Sequence, residues 1–359
     1  MKKRVLLGMS GGVDSSASAI LLQEQGYEVI GCTMRLWELG DIEESSCSGN
    51  QAVYDAKAVC DQLGIPHYTI NCKKEFKCKV VDNFIEEYKE ARTPNPCIEC
   101  NKYMKFGAFY EKAKELKCNY IATGHYASIE FSQKYQQYVL KKSKEEKKDQ
   151  TYFLYTIPKE ELEYIIFPLQ NYNDKENIRS IAEKNKLSVA QKKESQEICF
   201  IPNDNYQEFL IKYGNYSKKK GNITLRNGKV IGQHQGIINY TIGQRKGLGI
   251  SYQEPLYVLA LEKKRNEVIV GTQKELYSKE LYAEEVNWMV WDKLEKPIKC
   301  KAKIRYRAKE AEAVVFPLER NGIKVVFDIE QRAITPGQSV VFYDEEGVVL
   351  GGGKIKEKR

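Results

Sequence analysis

The chain has 359 residues, 42% hydrophobic and 30% charged, with 57 Lys and Arg against 49 Asp and Glu for a net charge of +8. That length suits about two or three domains, and the balance excludes a disordered, collagen-like or membrane-spanning chain, since no run approaches ~18 apolar residues. The mild positive charge permits a nucleic-acid partner without demanding one.

Met1-Lys2-Lys3-Arg4 leads into only three apolar residues, too few for a signal-peptide core, so a cytoplasmic protein is expected. In that reducing compartment the ten cysteines read mostly as small buried residues, which excludes a disulfide-stapled mini-domain. Three histidines leave little room for His-rich metal sites.

The first 200 residues alternate strand and helix. Residues 5–7 read as a buried strand, 10–15 as a Gly-rich turn, and 16–25 as a helix ended by Gly26. A strand over 27–34, a helix over 51–63 and a short strand over 67–71 follow. The helix predicted over 74–91 stops at Thr93-Pro94-Asn95-Pro96, because prolines two apart cannot continue it. A helix over 101–117 and a strand over 120–123 complete the pattern. This order predicts an α/β fold with a doubly wound parallel sheet, whose ligands sit beyond the C-terminal strand ends. Residues 8–15, 34–37 and 123–126 lie at such ends.

Residues 141–148 read as a solvated Lys/Glu loop tip, and 155–169 and 175–186 as short helices. After Pro202 the pattern changes: a helix over 205–213, then strands. From about Glu275 short alternating runs with turns predict a small closed barrel. The expected domains are 1–202, a central 203–274 and a C-terminal barrel over 275–359. No internal repeat is visible.

Ser10-Gly11-Gly12-Val13-Asp14-Ser15 links a strand to a helix. Its glycines let backbone N–H groups approach an anion, and the helix N-terminus adds partial positive charge. Ser10 and Ser15 can donate to phosphate oxygens, and Asp14 can help hold Mg. Neither the G-x-x-x-x-G-K-[ST] loop nor G-x-G-x-x-G occurs here.

Cys97 and Cys100 stand at a predicted helix start, a position that favours the thiolate. Cys199 lies in Lys193-Glu194-Ser195-Gln196-Glu197-Ile198-Cys199-Phe200-Ile201, where core and chemistry are both open readings. Lys299, Lys301, Lys303, Arg305, Arg307 and Lys309 occupy every second position. As one strand they would form a basic stripe of about 33 Å able to follow phosphates. A solvated outer face is the competing reading.

The Ser-Gly-Gly-x-Asp-Ser loop resembles that of the N-type ATP pyrophosphatases. Residues 93–101, Ala122-Thr123-Gly124-His125-Tyr126-Ala127, residues 149–154, Ile198-Cys199-Phe200, residues 240–249, Thr335-Pro336-Gly337-Gln338 and residues 350–353 resemble the bacterial and mitochondrial tRNA-specific 2-thiouridylases. The likeness runs in the same order from about residue 3 to 355.

It implies ATP-dependent thiolation of the wobble uridine of Lys, Glu and Gln tRNAs. Gly8, Met9, Ser10, Gly11, Gly12, Val13, Asp14 and Ser15 would bind the phosphates of ATP-Mg, with Met34 and Gly124 at the nucleotide. Asn95, Pro96 and Cys97 would meet the flipped base. Cys100 would be the nucleophile, and Cys199 would carry persulfide sulfur from a cysteine desulfurase or relay protein. His125, Asp149, Gln150, Thr151, Arg305, Tyr306 and Gln338 would touch tRNA. No DNA or membrane partner is implied.

Many family members carry Asp where Cys97 stands. The substitution leaves three readings: a thiol replacing the carboxylate, a second redox thiol, or a 4Fe–4S cluster on Cys97, Cys100 and Cys199. A small-molecule ATP pyrophosphatase such as a GMP synthetase, or a non-catalytic tRNA-binding protein, are the rival functions. Pyrophosphate release with a metabolite marks the first. RNA affinity without thiolated product marks the second.

Overall fold

The structure is a computed structural model that describes residues 2–37, 50–172, 175–192, 198–217 and 219–358. The chain divides into two compact units. The first comprises Met1–Val81, Pro96–Asp204 and Gly347–Val349; the second comprises Asp82–Asn95, Asn205–Glu346 and Leu350–Arg359.

Strand β1 (Arg4–Gly8) carries Val5, Leu6 and Leu7, all fully buried, as expected of a strand covered on both faces. Helix α1 (Val13–Glu24) follows, then β2 (Glu28–Arg35), α2 (Asn50–Leu63) and β3 (His67–Asn71). The predicted helix over 74–91 is α3 (Lys73–Phe76), a π-helical turn Lys77–Val81 and α4 (Asp82–Lys89), the last in the second unit. Likewise the helix predicted over 101–117 is α5 (Pro96–Cys100), a π-helical stretch Asn101–Ala108 and α6 (Phe109–Glu115). A period-based reading cannot see the extra residue that a π turn inserts.

Strand β4 (Tyr120–Ala122) precedes an antiparallel pair, β5 (Ser128–Ser132) and β6 (Gln137–Lys141). The 141–148 run is therefore only partly a solvated tip: Lys141 is in a strand, Ser143 is buried, and its N–H bonds to Asp149 Oδ1 at 3.1 Å. Residues 155–169 do not form the predicted helix. Pro158 and Pro168 bracket a 3-10 turn, Lys159–Tyr164, and a two-residue strand, β7 (Ile165–Ile166). The β-branched Ile pair adds to the sheet beside β4. Helix α7 (Lys175–Lys184) packs against α1.

The parallel sheet has the order β3-β2-β1-β4-β7. Connections run outward on both sides of β1 and β4, so the topological switch point lies between those two strands. The loop after β1 and the loop after β4 meet there, where α/β sheets take ligands.

In the second unit, α8 (Tyr206–Gly214) packs on α4. Strands β8 (Gly221–Leu225), β9 (Val230–His234), β10 (Tyr257–Glu262) and β11 (Glu267–Gly271) form a sheet of order β10-β11-β8-β9. Six strands close a barrel: β12 (Tyr277–Trp288), β13 (Ile298–Lys303), β14 (Ala311–Pro317), β15 (Ile323–Arg332), β16 (Ser339–Tyr343) and β17 (Val349–Lys358). Closure removes the unpaired edges that short strands would otherwise expose.

The predicted basic stripe is broken. Strand β13 ends at Lys303, and residues 304–309 turn, so Arg305, Arg307 and Lys309 are not on its face. Lys301 faces Glu312 in register and pairs with Glu345 at 2.7 Å. Glu312 comes from β14 and Glu345 from the turn after β16, where a single-strand reading cannot find them.

Candidate active site

The phosphate-type loop is shaped by backbone constraints. Gly11 has φ +68°, and a Cβ there would stand 2.6 Å from the Ala52 carbonyl oxygen, so only glycine fits. Gly12 caps α1 without any side-chain cap bond. The first N–H groups of α1 thus lack the usual side-chain acceptor and suit an anion. Ser15 Oγ donates to Gly12 O at 3.1 Å and accepts from Ser10 N at 3.3 Å. Lys192 Nζ donates to Gly11 O at 3.1 Å and to Asp55 Oδ2 at 2.7 Å. Burial pushes the Asp55 carboxyl up, but the bonds from Lys192 and Gln51 outweigh it and hold it below the usual range. Lys192 and Asp55 escaped the sequence reading because each lies far along the chain from the loop.

Thr123, Gly124, His125 and Tyr126 form the opposing wall. A Cβ on Gly124 would lie 3.2 Å from Asp14 C and 3.3 Å from Ser15 N, so glycine permits this close approach. Tyr126 Oη donates to Asp14 Oδ1 at 2.9 Å. Gln150 holds Tyr126 at both ends of its peptide unit: Tyr126 N donates to Gln150 Oε1 at 3.0 Å, and Gln150 N to Tyr126 O at 2.9 Å. Lys148 Nζ sits 4.9 Å from the Tyr126 ring centroid, in cation–π range. Thr151 Oγ1 donates to Asp149 Oδ2 at 2.7 Å.

Asp149 is 3% exposed, Thr151 is 0% and His125 is 8%, and their side chains help to build the wall. Gln150 is half-buried. His125 Nδ1 lies 2.7 Å from Thr123 Oγ1, and its Nε2 lies 3.2 Å from Lys105 Nζ. An ammonium only donates, which assigns the lone pair to Nε2 and the proton to Nδ1. Burial, and then Lys105, hold the His125 pKa well below its ordinary value, so the ring is neutral. Met34 is half-buried on β2, beside Thr33, whose hydroxyl donates to Met9 O at 2.8 Å.

Cys97 is exposed and Cys100 partly exposed on α5, three residues apart and so one turn from each other. The buried Ile98 and Asn101 fix the helix from its other side. Asn101 Nδ2 donates to Phe153 O at 3.0 Å, whereas its buried Oδ1 has no hydrogen-bond partner among the described residues. Cys199 is half-exposed, although Phe200 is buried edge-on to Phe76 at 5.7 Å. Residues 193–197 of its predicted motif lie outside the described residues. The nine described cysteines are thiols. Burial pushes Cys32, Cys60 and Cys300 up to about 12 and Cys72 to about 11, which makes them inert. Among the described residues no three His, Cys, Asp or Glu side chains gather to hold a metal ion.

In the second unit, the segment ending at Asn95 is clamped. Glu87 is 4% exposed and takes a bidentate pair from Arg92, at 2.7 and 2.8 Å, plus Lys354 Nζ at 2.8 Å. Burial raises the Glu87 pKa, but these cations outweigh it and hold the carboxyl below its usual range. Gln338 Nε2 donates to Thr93 O at 2.9 Å and Pro94 O at 3.3 Å, and Thr93 N donates to Pro336 O at 2.9 Å. Gly337, at φ +89°, has no room for a Cβ against Thr93. Arg305 also turns inward, donating to Ile242 O at 3.2 Å, Ala333 O at 2.8 Å and Thr335 Oγ1. It joins the 240–249 segment to the barrel. Lys303 Nζ lies 5.7 Å from the Tyr306 ring.

The sequence matches the family described as tRNA methyl transferase HUP domain over residues 3–203. It also matches the tRNA methyl transferase PRC-barrel domain over 207–272 and the aminomethyltransferase beta-barrel domain over 278–355. It is 49% identical over 359 residues to tRNA-specific 2-thiouridylase MnmA of Acetivibrio thermocellus, covering 99% of each chain. It is 51% identical to tRNA-specific 2-thiouridylase MnmA 1 of Caldanaerobacter subterraneus, over 100% of this chain and 99% of that protein. The Clostridioides difficile protein of the same name is 46% identical over 99% of each.

The neutral, buried His125 sets a pH dependence. Below about 6.5 the unfolded chain takes up a proton that the folded site refuses, so stability falls as pH falls below that value. His67 and His234, both also lowered by burial, add to the same slope. In urea titrations between pH 8 and 5.5, His125→Asn is expected to flatten the slope by up to about 1.4 kcal/mol per pH unit, one proton's worth. An unchanged slope would contradict the assignment. Glu87→Gln is expected to cost on the order of 2 kcal/mol, because Lys354 and Arg92 lose their counter-charge while Arg92 stays partly hydrated. Its contribution is present above the ordinary carboxyl pKa and is lost as pH falls through the lowered folded value. Denaturation midpoints of the variant at pH 7 and pH 3.5 read both.

Proposed function

Because this chain belongs to the family of tRNA-specific 2-thiouridylases, we propose that it uses ATP to replace the 2-oxygen of the tRNA wobble uridine with sulfur. Identity near 50% along the whole length carries this reading. The family description speaks of methyl transfer, but a nucleotide-type loop beside a parallel-sheet switch point and a pair of thiols suit adenylation and sulfur transfer. A GMP synthetase-like reading explains neither thiol.

The loop from Gly8 through Met9, Ser10, Gly11, Gly12, Val13, Asp14 and Ser15 takes the ATP phosphates on backbone N–H groups and hydroxyls. Asp14, oriented by Tyr126, would help hold Mg when ATP binds. Such an ion would offset the negative charge of the phosphates. Gly124 lets the β4 loop lie against the loop backbone, and Met34 lines the adenine. Asn95, Pro96 and Cys97 receive the uridine flipped from the anticodon loop. Its O2 attacks the α-phosphorus, pyrophosphate leaves, and the oxygen becomes part of a good leaving group, AMP.

Cys199 carries the persulfide, loaded by a cysteine desulfurase or a relay protein. The Cys100 thiolate attacks Cys199 Sγ, forms a Cys100–Cys199 disulfide and expels sulfide. Sulfide adds to C2 of the uridine, and AMP departs. Cys97, exposed one turn from Cys100, acts as a second redox thiol: it attacks Cys100, releases the Cys199 thiolate and leaves a Cys97–Cys100 disulfide. A dithiol reductant then supplies two electrons to restore both thiols. The cytoplasm provides that reductant. Arg305, Tyr306, Gln338 and the β4 wall residues His125, Asp149, Gln150 and Thr151 shape surfaces that meet tRNA.

Purified protein with ATP, a persulfide donor and Lys, Glu or Gln tRNA is expected to give 2-thiouridine and stoichiometric pyrophosphate. Cys100→Ser and Cys199→Ser should abolish thiolation while leaving ATP binding intact. Pyrophosphate released with a small metabolite and no tRNA would refute the proposal, as would thiolation that survives both substitutions. Quenching with a thiol-alkylating agent during turnover should trap a Cys97–Cys100 disulfide by mass spectrometry. In Cys97→Ser the Cys100–Cys199 disulfide should accumulate instead; its absence would dismiss the redox role of Cys97.

A further inference from the structure

Resting on the tRNA reading above, we infer that Lys79 and Lys102, which flank Tyr103, and Lys74 on the adjoining helix α3 form a docking face for the phosphate backbone of the substrate tRNA beside the thiols. Four of residues 73–79 are lysine. The π turn Lys77–Val81 packs against α5, and α3 against the π-helical stretch Asn101–Ala108, so this basic segment adjoins the helix bearing Cys97 and Cys100. Lys74, Lys79 and Lys102 are exposed. Lys79 Nζ lies 5.3 Å and Lys102 Nζ 5.1 Å from the Tyr103 ring centroid. One ring thus holds two ammonium groups within about a Debye length of each other, where like charges still repel.

Four other helical lysines in this chain are neutralised locally. Lys57, Lys89, Lys112 and Lys114 each pair with a carboxylate three or four residues away. Lys74, Lys79 and Lys102 have no carboxylate partner among the described residues, although Glu75 and Glu99 lie in the same segments. Holding uncompensated cations together costs free energy that an anion at the face recovers. A polyanion spaced like an RNA strand neutralises several at once and releases counterions.

The test is tRNA affinity measured from 50 to 300 mM salt for wild type, K74Q/K79Q/K102Q and K74R/K79R/K102R. The Gln variant is expected to bind at least about tenfold more weakly at low salt. Its slope of log affinity against log salt should shrink by about two, since each lost phosphate contact removes about 0.7–0.9. The Arg variant should keep the wild-type slope. ATP binding, and turnover at saturating tRNA, should stay within about twofold. An unchanged slope in the Gln variant overturns the inference. So does unchanged tRNA affinity with slower persulfide loading, which would give the face to a protein donor. Wild type that binds no tRNA would overturn this inference and the functional reading together. Wild type that binds tRNA without thiolating it would overturn only the activity, and the slope would still decide the face.

Discussion

Parallel pairing of β1 with β4 is the constraint on which the site depends. Val5, Leu6 and Leu7 pair with Tyr120, Ile121 and Ala122, so both strands point the same way and end at the same level. Two loops that are over a hundred residues apart in sequence are thereby brought face to face. One supplies backbone donors and Asp14, and the other supplies Tyr126 to hold that carboxylate. The close approach works because glycine stands at Gly124, where a Cβ would meet the backbone of Asp14 and Ser15. The apolar core beneath, with Val5, Leu7, Ala17 and Ala122 in one cluster, keeps the two loops from separating.

Much of this frame was legible in the sequence. The strand–helix alternation, the glycine loop and the C-terminal barrel all leave short-range signals: apolar runs, turn residues and period-two patterning. What stayed hidden depends on pairs remote in sequence. Glu87 looks like one more helix carboxylate until Lys354 arrives from β17. Lys105 and His125 meet only through the fold. The six-residue basic stripe failed for the same reason: Arg305 finds acceptors on Ala333 and Ile242, and their pull outweighs the strand pattern. The helix expected over 155–169 gave way to a 3-10 turn and a two-residue strand that a neighbouring edge, β4, receives.

Several residues expected to touch RNA also fasten the protein internally. Asp149 and Thr151 satisfy each other, Gln338 ties down the chain before Asn95, and Arg305 staples a loop to the barrel. A residue that positions the wall of a binding site leaves the same sequence signature as one that touches the ligand. Asp149 and Thr151 are buried, and a polar side chain with little exposed surface has its hydrogen-bonding capacity committed within the protein, whereas Gln338 and Arg305 keep part of their surface exposed.

The Lys105–His125 contact has a consequence for proton traffic. A histidine beside an anionic ligand site usually invites the role of acid or base. Here its lone pair already faces an ammonium, and its one proton is engaged by Thr123. The ring behaves as a rigid dipole, fixed in direction and indifferent to pH across the physiological range. The imidazole therefore serves the wall by its geometry rather than as a proton carrier.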